Sequence, residues 1–314
     1  MKGQNDLSEM NNFHTPVHNQ LKMNGITIAA AAATTTTTTP KTNSSKKKIQ
    51  ETIETGPLPP PKGWNDIYSL VEELRADKTA PVDHDGCEVL AQRDRGPEVF
   101  RFQVLISLML SSQTKDAVVG ETMRHLQGFG LDVPTIHSIS EVTLNERISK
   151  VGFHNNKSKF IKQAVEILIR DYNGDIPGTE EELMNLPGVG PMMAFIVMQV
   201  AWGRCTGIGV DAHMHRLFQD LGRVKGSASP EKTRVELQRW LPREKWSQVN
   251  CLWVGFGQET QQQKEKVIRK ALASSKPTDA LKLLKKVGVN IEKEAKKFGL
   301  NEEVKKVLMN PSSE

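Results

Sequence analysis

Leu186-Pro187-Gly188-Val189-Gly190-Pro191 is the stretch around which the rest of this chain can be organised. Two glycines two residues apart allow a tight turn and a close approach of backbone to a partner. Pro191 suits the first position of a helix, where its missing N–H costs nothing. Ala194, Ile196, Val197, Val200 and Ala201 then supply an apolar helical face. Upstream, Thr179 followed by Glu180, Glu181 and Glu182 is an N-cap with acids in the first turn. The spacing predicts helix, glycine turn, helix. In such a turn the amides that open the second helix point outward, where they can hold a phosphate. A bare G-x-G is also compatible with a packed turn, but the full string favours contact with nucleic-acid backbone, independent of base sequence.

The same period continues outward. Phe102, Leu105, Ile106 and Met109 lie on one helical stripe, which Leu108 and Leu110 broaden and Ser111-Ser112-Gln113-Thr114 ends. Phe160, Ile161, Ala164, Ile167 and Leu168 repeat the spacing, and Gly174, Pro177 and Gly178 break the chain after them. No β-branched run of period two stands out, so the expected class is all-α. Residues 1 to about 60 are polar, contain the Thr34–Thr39 homopolymer and end in a proline cluster. Such a segment cannot bury enough apolar surface to offset its ordering entropy, and disorder is expected there.

Composition sets broad limits. The 314 residues are 25% charged and 37% hydrophobic, enough for one or two folded domains. No apolar stretch approaches the roughly 20 residues of a membrane span. The formal charge of +5 fits a polyanion partner and equally an ordinary solubility charge. Its location says more: from Lys264 to Glu314, 13 Lys and Arg stand against 7 Asp and Glu. Cys87, Cys205 and Cys251 are far apart and form no C-x-x-C pair, which argues against a disulfide framework and against a zinc or iron–sulfur site. A reduced intracellular compartment is the default. Lys46, Lys47 and Lys48 can be read as a nuclear-import cluster or as a solvated charge run.

Longer strings carry a specific resemblance. Leu186 to Pro191 with Met193-Ala194, Ala201-Trp202-Gly203 and Val210-Asp211-Ala212-His213-Met214-His215-Arg216 resemble the eukaryotic branch of the endonuclease III family. Gln103 to Asp116, Val151 to Lys159, Tyr172 to Pro177, Trp240 to Trp246 and Val254 to Gln258 extend the likeness, which covers about Trp64 to Gln258. It implies a two-lobed helix-hairpin-helix DNA glycosylase fold: a six-helix central domain, 99–222, and a second helical domain from 61–98 with 223–263. Residues 264–314 would remain as a Lys-rich helical tail, read as solvated, with packing in place of a cluster loop and added phosphate contacts as alternatives. The implied function is base excision repair: excision of oxidised pyrimidines from bent duplex DNA, the damaged nucleotide being extruded into a pocket. Gln113 would fill the space left by the flipped base and Phe153 would wedge from the other side. Lys157, Gly188, Val189, Gly190 and His213 complete the expected DNA-binding set. Damaged or abasic duplex DNA is the expected partner, with no membrane, a monomeric state, and the nucleus, with mitochondria as a second address, as the setting.

The family's chemistry, as the resemblance implies it, needs a lysine amine and an aspartate. The amine attacks the sugar C1′, forms an imine and allows β-elimination of the 3′ phosphate. The aspartate stabilises positive charge on the sugar and helps deprotonate the attacking group. Asp211 matches the aspartate, with a plain N-cap as its bland reading. The lysine position, after Pro191, holds Met192. A thioether carries no proton and forms no imine, so the lyase step is blocked at this residue. Two natural outcomes are open: a lesion binder without catalysis, or a monofunctional glycosylase using water activated by Asp211. A third reading is an introduced or erroneous change, since one codon base, AAG to ATG, separates Lys from Met. Lys115 and Lys157 are conceivable substitute amines, though neither aligns with the nucleophile. Most family members further hold a four-iron–four-sulfur cluster on four cysteines shortly after the G-F-G-Q string. Here Gly255-Phe256-Gly257-Gln258 is followed by no cysteine, and since thiolates are obligatory ligands no cluster and no metal cofactor is expected.

Overall fold

A computed structural model describes residues 58–224 and 229–309, all within one contact-defined unit of the chain, 46–314. The expected disorder of 1–60 and the Lys46–Lys48 cluster lie outside these residues, except for 58–60. The elements are helices: α1 Trp64–Leu74, α2 Pro81–Asp85, α3 Cys87–Leu90, α4 Pro97–Ser111, α5 Asp116–Phe129, α6 Val133–Ser138, α7 Glu141–Arg147, α8 His154–Tyr172 and α9 Glu180–Leu183. They continue as α10 Pro191–Val200, α11 Ala212–Asp220, α12 Pro230–Trp240, α13 Trp246–Gln262, α14 Lys264–Leu272, α15 Pro277–Lys286, α16 Ile291–Lys297 and α17 Asn301–Met309. Among the described residues there is no strand, so the all-α expectation holds, and no helix is long and apolar enough to cross a membrane.

Two hydrophobic cores organise these helices. The first gathers α4, α5, α8 and α10 around Phe102, Leu105, Ile106, Met123, Val165 and Val197. Helix α4 is apolar on nearly every face and is buried on all of Phe102 to Leu110, as a helix surrounded by others must be. The second core is built on aromatic rings. Trp64 of α1 stacks on Trp253 of α13 with centroids 5.4 Å apart, and Phe218 of α11 lies 4.8 Å from Trp253. Offset and tilted ring pairs of this kind add to what area burial alone provides.

The two cores draw on residues from both sides of the 99–222 bounds that the resemblance implies. Leu90 and Ala91, before residue 99, belong to the first core, whereas Ile208, Val210, Met214, Leu217, Phe218 and Leu221 belong to the second. The reason is the apolar face of α11, which fits the Trp64–Trp253 stack. The chain therefore crosses from one core to the other between α10 and α11.

One correction concerns 264–309. This segment is not a solvated tail. Val267, Ile268, Leu281, Leu284, Ala295 and Val304 are buried in the second core, while Lys282, Lys285, Lys286, Lys293 and Lys296 stay exposed. The lysines suggest solvation, but their spacing leaves one apolar face per helix, and that face decides the outcome. A buried charge cluster ties the segment down. Glu259, fully buried at the end of α13, accepts from Arg75 Nη1 at 2.8 Å and from Lys270 Nζ at 3.0 Å, and Arg75 also bonds Asp83 at 2.7 Å. Removing one member of a buried ion pair strands the others, at a cost of about 3–5 kcal/mol. Glu259→Ala is expected to lower unfolding stability by about that amount in urea titrations. A loss below about 1 kcal/mol, the level of a surface pair, would show that water screens the cluster.

Candidate catalytic pair and nucleic-acid interface

The hairpin forms as the spacing predicts. The Thr179 hydroxyl accepts from Glu182 N at 3.3 Å and caps α9, and Leu183 and Leu186 are buried beneath the turn. Gly188 has φ +80°, and a Cβ there would lie 2.8 Å from Cδ2 of Phe160. Both the left-handed backbone and the ring demand glycine. Phe160 therefore leaves the core stripe expected of it and stands 37% exposed beneath the hairpin. Val189 is buried, and Gly190 is the N-cap of α10 with no side chain to serve the first-turn amides. A Cβ on Gly190 would meet nothing within 4 Å, so this end of α10 is open. Free first-turn donors at an open helix start can accept an anion.

Met192 is the second residue of α10 and half-buried. The segment leading to Asp211 runs against the same turn: a Cβ on Gly209 would lie 3.1 Å from the Met192 carbonyl oxygen and 2.5 Å from Cγ1 of Ile196. Two side chains hold that segment, Asn250 Nδ2 donating to Gly209 O at 2.7 Å and Gln238 Oε1 accepting from Ile208 N at 3.0 Å. The segment two residues before Asp211 thus packs on the backbone of position 192, where the chain passes between the two cores. Asp211 is the N-cap of α11, with Oδ1 accepting from Met214 N at 2.8 Å. The capping role is realised, and Oδ2 has no protein partner among the described residues.

His213 packs beside α13, where a Cβ on Gly257 would lie 2.8 Å from its own Cβ. Near it stands a carboxylate that sequence reasoning missed. Asp116, at the start of α5, accepts from Gln258 Nε2 at 2.6 Å, and Gln258 Oε1 accepts from Val82 N at 3.0 Å. Burial pushes the Asp116 carboxyl upward, the Gln258 bond and His213 act downward, and the charges of Asp85 and Asp211 act upward again. Asp116 and Gln258 each end a matched string, but only the fold joins them.

Gln113 and Phe153 stand on one cleft. Both are exposed, and together with Met109, Ser112, Asn156, Lys157, Phe160 and Gly188 they line a cleft of about 230 Å³. Lys157 departs from its expected role as a DNA contact. It is 5% exposed, and its ammonium donates to Leu110 O at 2.7 Å, Ser112 O at 2.6 Å and Thr114 Oγ1 at 3.2 Å. All three donors are committed, which also removes it as a substitute nucleophile. Its buried stem lies on the inner face of α8, a placement invisible without the tertiary fold. Lys115 is exposed as the N-cap of α5.

The residues present do not fit a thiolate-held cluster. Cys87, Cys205 and Cys251 stand on or beside three different elements, and burial raises each thiol, that of Cys87 to about 12, against the thiolate form. The chain after Gln258 offers Glu259 and Thr260, both buried, and then α14 to α17. Among the described residues no group of three or more His, Cys, Asp or Glu could hold a metal ion.

A glycine hairpin opening a helix, with the segment before an aspartate-capped helix packed on its first turn, defines a helix-hairpin-helix protein with Asp211 as a candidate acid–base group. A family model described as HhH-GPD superfamily base excision DNA repair protein matches residues 106–243, from α4 to the turn before α13. The chain is 43% identical over 258 residues to an endonuclease III homolog of Schizosaccharomyces pombe, covering 81% of this chain and 71% of that one. It is 48% identical over 206 residues to endonuclease III-like protein 1 of Gallus gallus, covering 65% and 73%. Among solved structures, a non-covalent endonuclease III–DNA complex superposes with a TM-score of 0.53 at 28% identity, covering 62% of this chain and 86% of that one. A trapped endonuclease III–DNA covalent intermediate gives 0.52 at 29%, covering 61% and 84%. The chain belongs to the endonuclease III family of base excision DNA repair glycosylases.

Proposed function

We propose that the chain excises oxidised pyrimidines from duplex DNA by attack of water and leaves the abasic strand uncut. The observation that carries this reading is the packing of the segment leading to Asp211 on the backbone of position 192, which holds a thioether. DNA lies across the open start of α10, a backbone phosphate taken by the amides after Gly190. Gln113 and Phe153 intrude where the lesion leaves the stack. Asp211 faces the sugar with Oδ2. As the N-glycosidic bond breaks and the base leaves with its electron pair, the carboxylate stabilises the positive charge left on the sugar. It then takes a proton from the attacking water, whose oxygen bonds to C1′. The family's second step needs an imine nitrogen to withdraw electrons before the 3′ phosphate departs. Met192 supplies none, and the buried Lys157 cannot replace it. The DNA-bound neighbours and the excess of basic residues after Lys264 support duplex DNA as partner, and the eukaryotic relatives support the nucleus as the setting.

The test is a single-turnover incubation with a duplex carrying one thymine glycol, with free base measured by chromatography against an undamaged control. Release of the modified base and of no normal base is expected. Lesion-selective binding without base release would support the second reading, a protein that marks or shields damage.

A further inference from the structure

We propose that Lys157 is a positioning residue that clamps the two intruding side chains, Gln113 and Phe153, in the backbone conformation from which they enter DNA. The proposal rests on the proposed lesion binding and concerns how the protein separates damaged from intact duplex.

Gln113 and Phe153 share an unusual backbone. Their φ angles are 51° and 57°, in the left-handed region that L side chains rarely adopt. They sit on different segments, the link between α4 and α5 and the entry to α8, and the two segments touch. A Cβ on Gly152 would lie 2.6 Å from the Gln113 carbonyl oxygen, so only glycine permits this approach. Two left-handed residues that project into solvent have little packing of their own to hold them. Something beneath must select this conformation over the ordinary ones.

Lys157 is what lies beneath. Its ammonium binds the carbonyls of Leu110 and Ser112, which close the C-terminus of α4, and the hydroxyl of Thr114. Both the free carbonyls and the helix dipole favour a cation at that end. The Thr114 hydroxyl also accepts from Gly152 N at 3.2 Å. One ammonium therefore fixes the residues on both sides of Gln113 and, through Thr114, the residue before Phe153. No acidic side chain pairs with it among the described residues, and burial pushes it down to about 8. A buried lysine without a carboxylate is costly to keep. Here its three neutral acceptors belong to the segment that carries Gln113, while Lys157 itself stands on the helix that Phe153 opens, and its side chain is buried.

A phosphate contact and a clamp give different signatures. The measurement is binding of the full chain to two duplexes, one intact and one with a tetrahydrofuran abasic analogue opposite 2-aminopurine, over a salt series. Lys157→Met keeps the stem and removes the donors. The expected result is loss of preference for the abasic duplex by roughly 2- to 100-fold, the range of coupling between contacting residues. The 2-aminopurine fluorescence change on binding is lost with it, while intact-duplex affinity and its salt dependence stay as in the unaltered chain. Thr114→Val, a milder change that keeps Lys157, shifts both readouts in the same direction and carries the test if Lys157→Met does not fold. In a Gln113→Ala background, Lys157→Met adds less than about twofold, because residues acting as one unit are not additive. The proposal is overturned if Lys157→Met weakens both duplexes equally and lowers the salt slope by about 0.9, the mark of one lost phosphate contact. It is overturned equally if preference and fluorescence are unchanged. An unaltered chain without preference for the abasic duplex would remove the lesion-binding reading itself, and this proposal with it.

Discussion

Met192→Lys is expected to turn the chain into an enzyme that nicks DNA. The variant places an amine of nearly the same length and stem on the second residue of α10, beside the segment that carries Asp211. The helix start disfavours added positive charge there and partial burial adds to this, so the amine is held toward its neutral, nucleophilic form. The cost to stability is expected to stay near 1 kcal/mol or less, the usual scale of a charge set against a helix dipole. Removing a nucleophile from a working site can cost up to roughly 10⁶ in rate, so restoring one is expected to raise strand cleavage by at least about 10²-fold. The readout is a covalent adduct trapped by borohydride on thymine-glycol duplex, together with cleavage that needs no alkali. No adduct from the variant would mean that position 192 does not reach the sugar.

The second large effect is expected at Asp211. Asp211→Asn keeps the cap, since asparagine serves the Met214 amide as well as aspartate does, and melting is expected to change by less than about 1 kcal/mol. It removes the negative charge and the proton acceptor at once. General acid–base groups typically contribute about 10²–10⁴ in rate, and a comparable fall in base release is expected, with lesion binding retained. If Asp211→Asn releases base at the unaltered rate, Asp211 is only a cap. If it melts several degrees lower as well, the two roles cannot be separated at this residue and Asp211→Ser, a cap without charge, becomes the comparison.

The features legible in the sequence are those that local rules impose. The hairpin is legible because glycine at a positive φ, proline at a first helical turn and threonine at an N-cap are each imposed by backbone chemistry a few residues wide. Asp211 is legible as a cap for the same reason. Position 192 is recognisable only through family likeness, since a methionine in an apolar helix carries no signal of its own. Lys157 is set among the DNA contacts by family likeness, and only the docking of α8 onto the end of α4 takes its side chain inside. The segment 264–309 is misjudged on its charge, although Leu281, Leu284, Val287 and Ile291 already mark its inner face. Asp116 escapes notice because its partner Gln258 lies 142 residues away.

The central claim is that base excision survives while strand cleavage is lost. The most direct measurement is a single-turnover reaction of the unaltered chain on thymine-glycol duplex, divided among three quenches: neutral, hot alkali, and borohydride added during turnover. Free base, an intact strand at neutral pH, a break after alkali equal to the base released, and no trapped adduct are expected. Strand cleavage at neutral pH together with a borohydride adduct would contradict the claim, because a nucleophilic amine would then act where Met192 offers none.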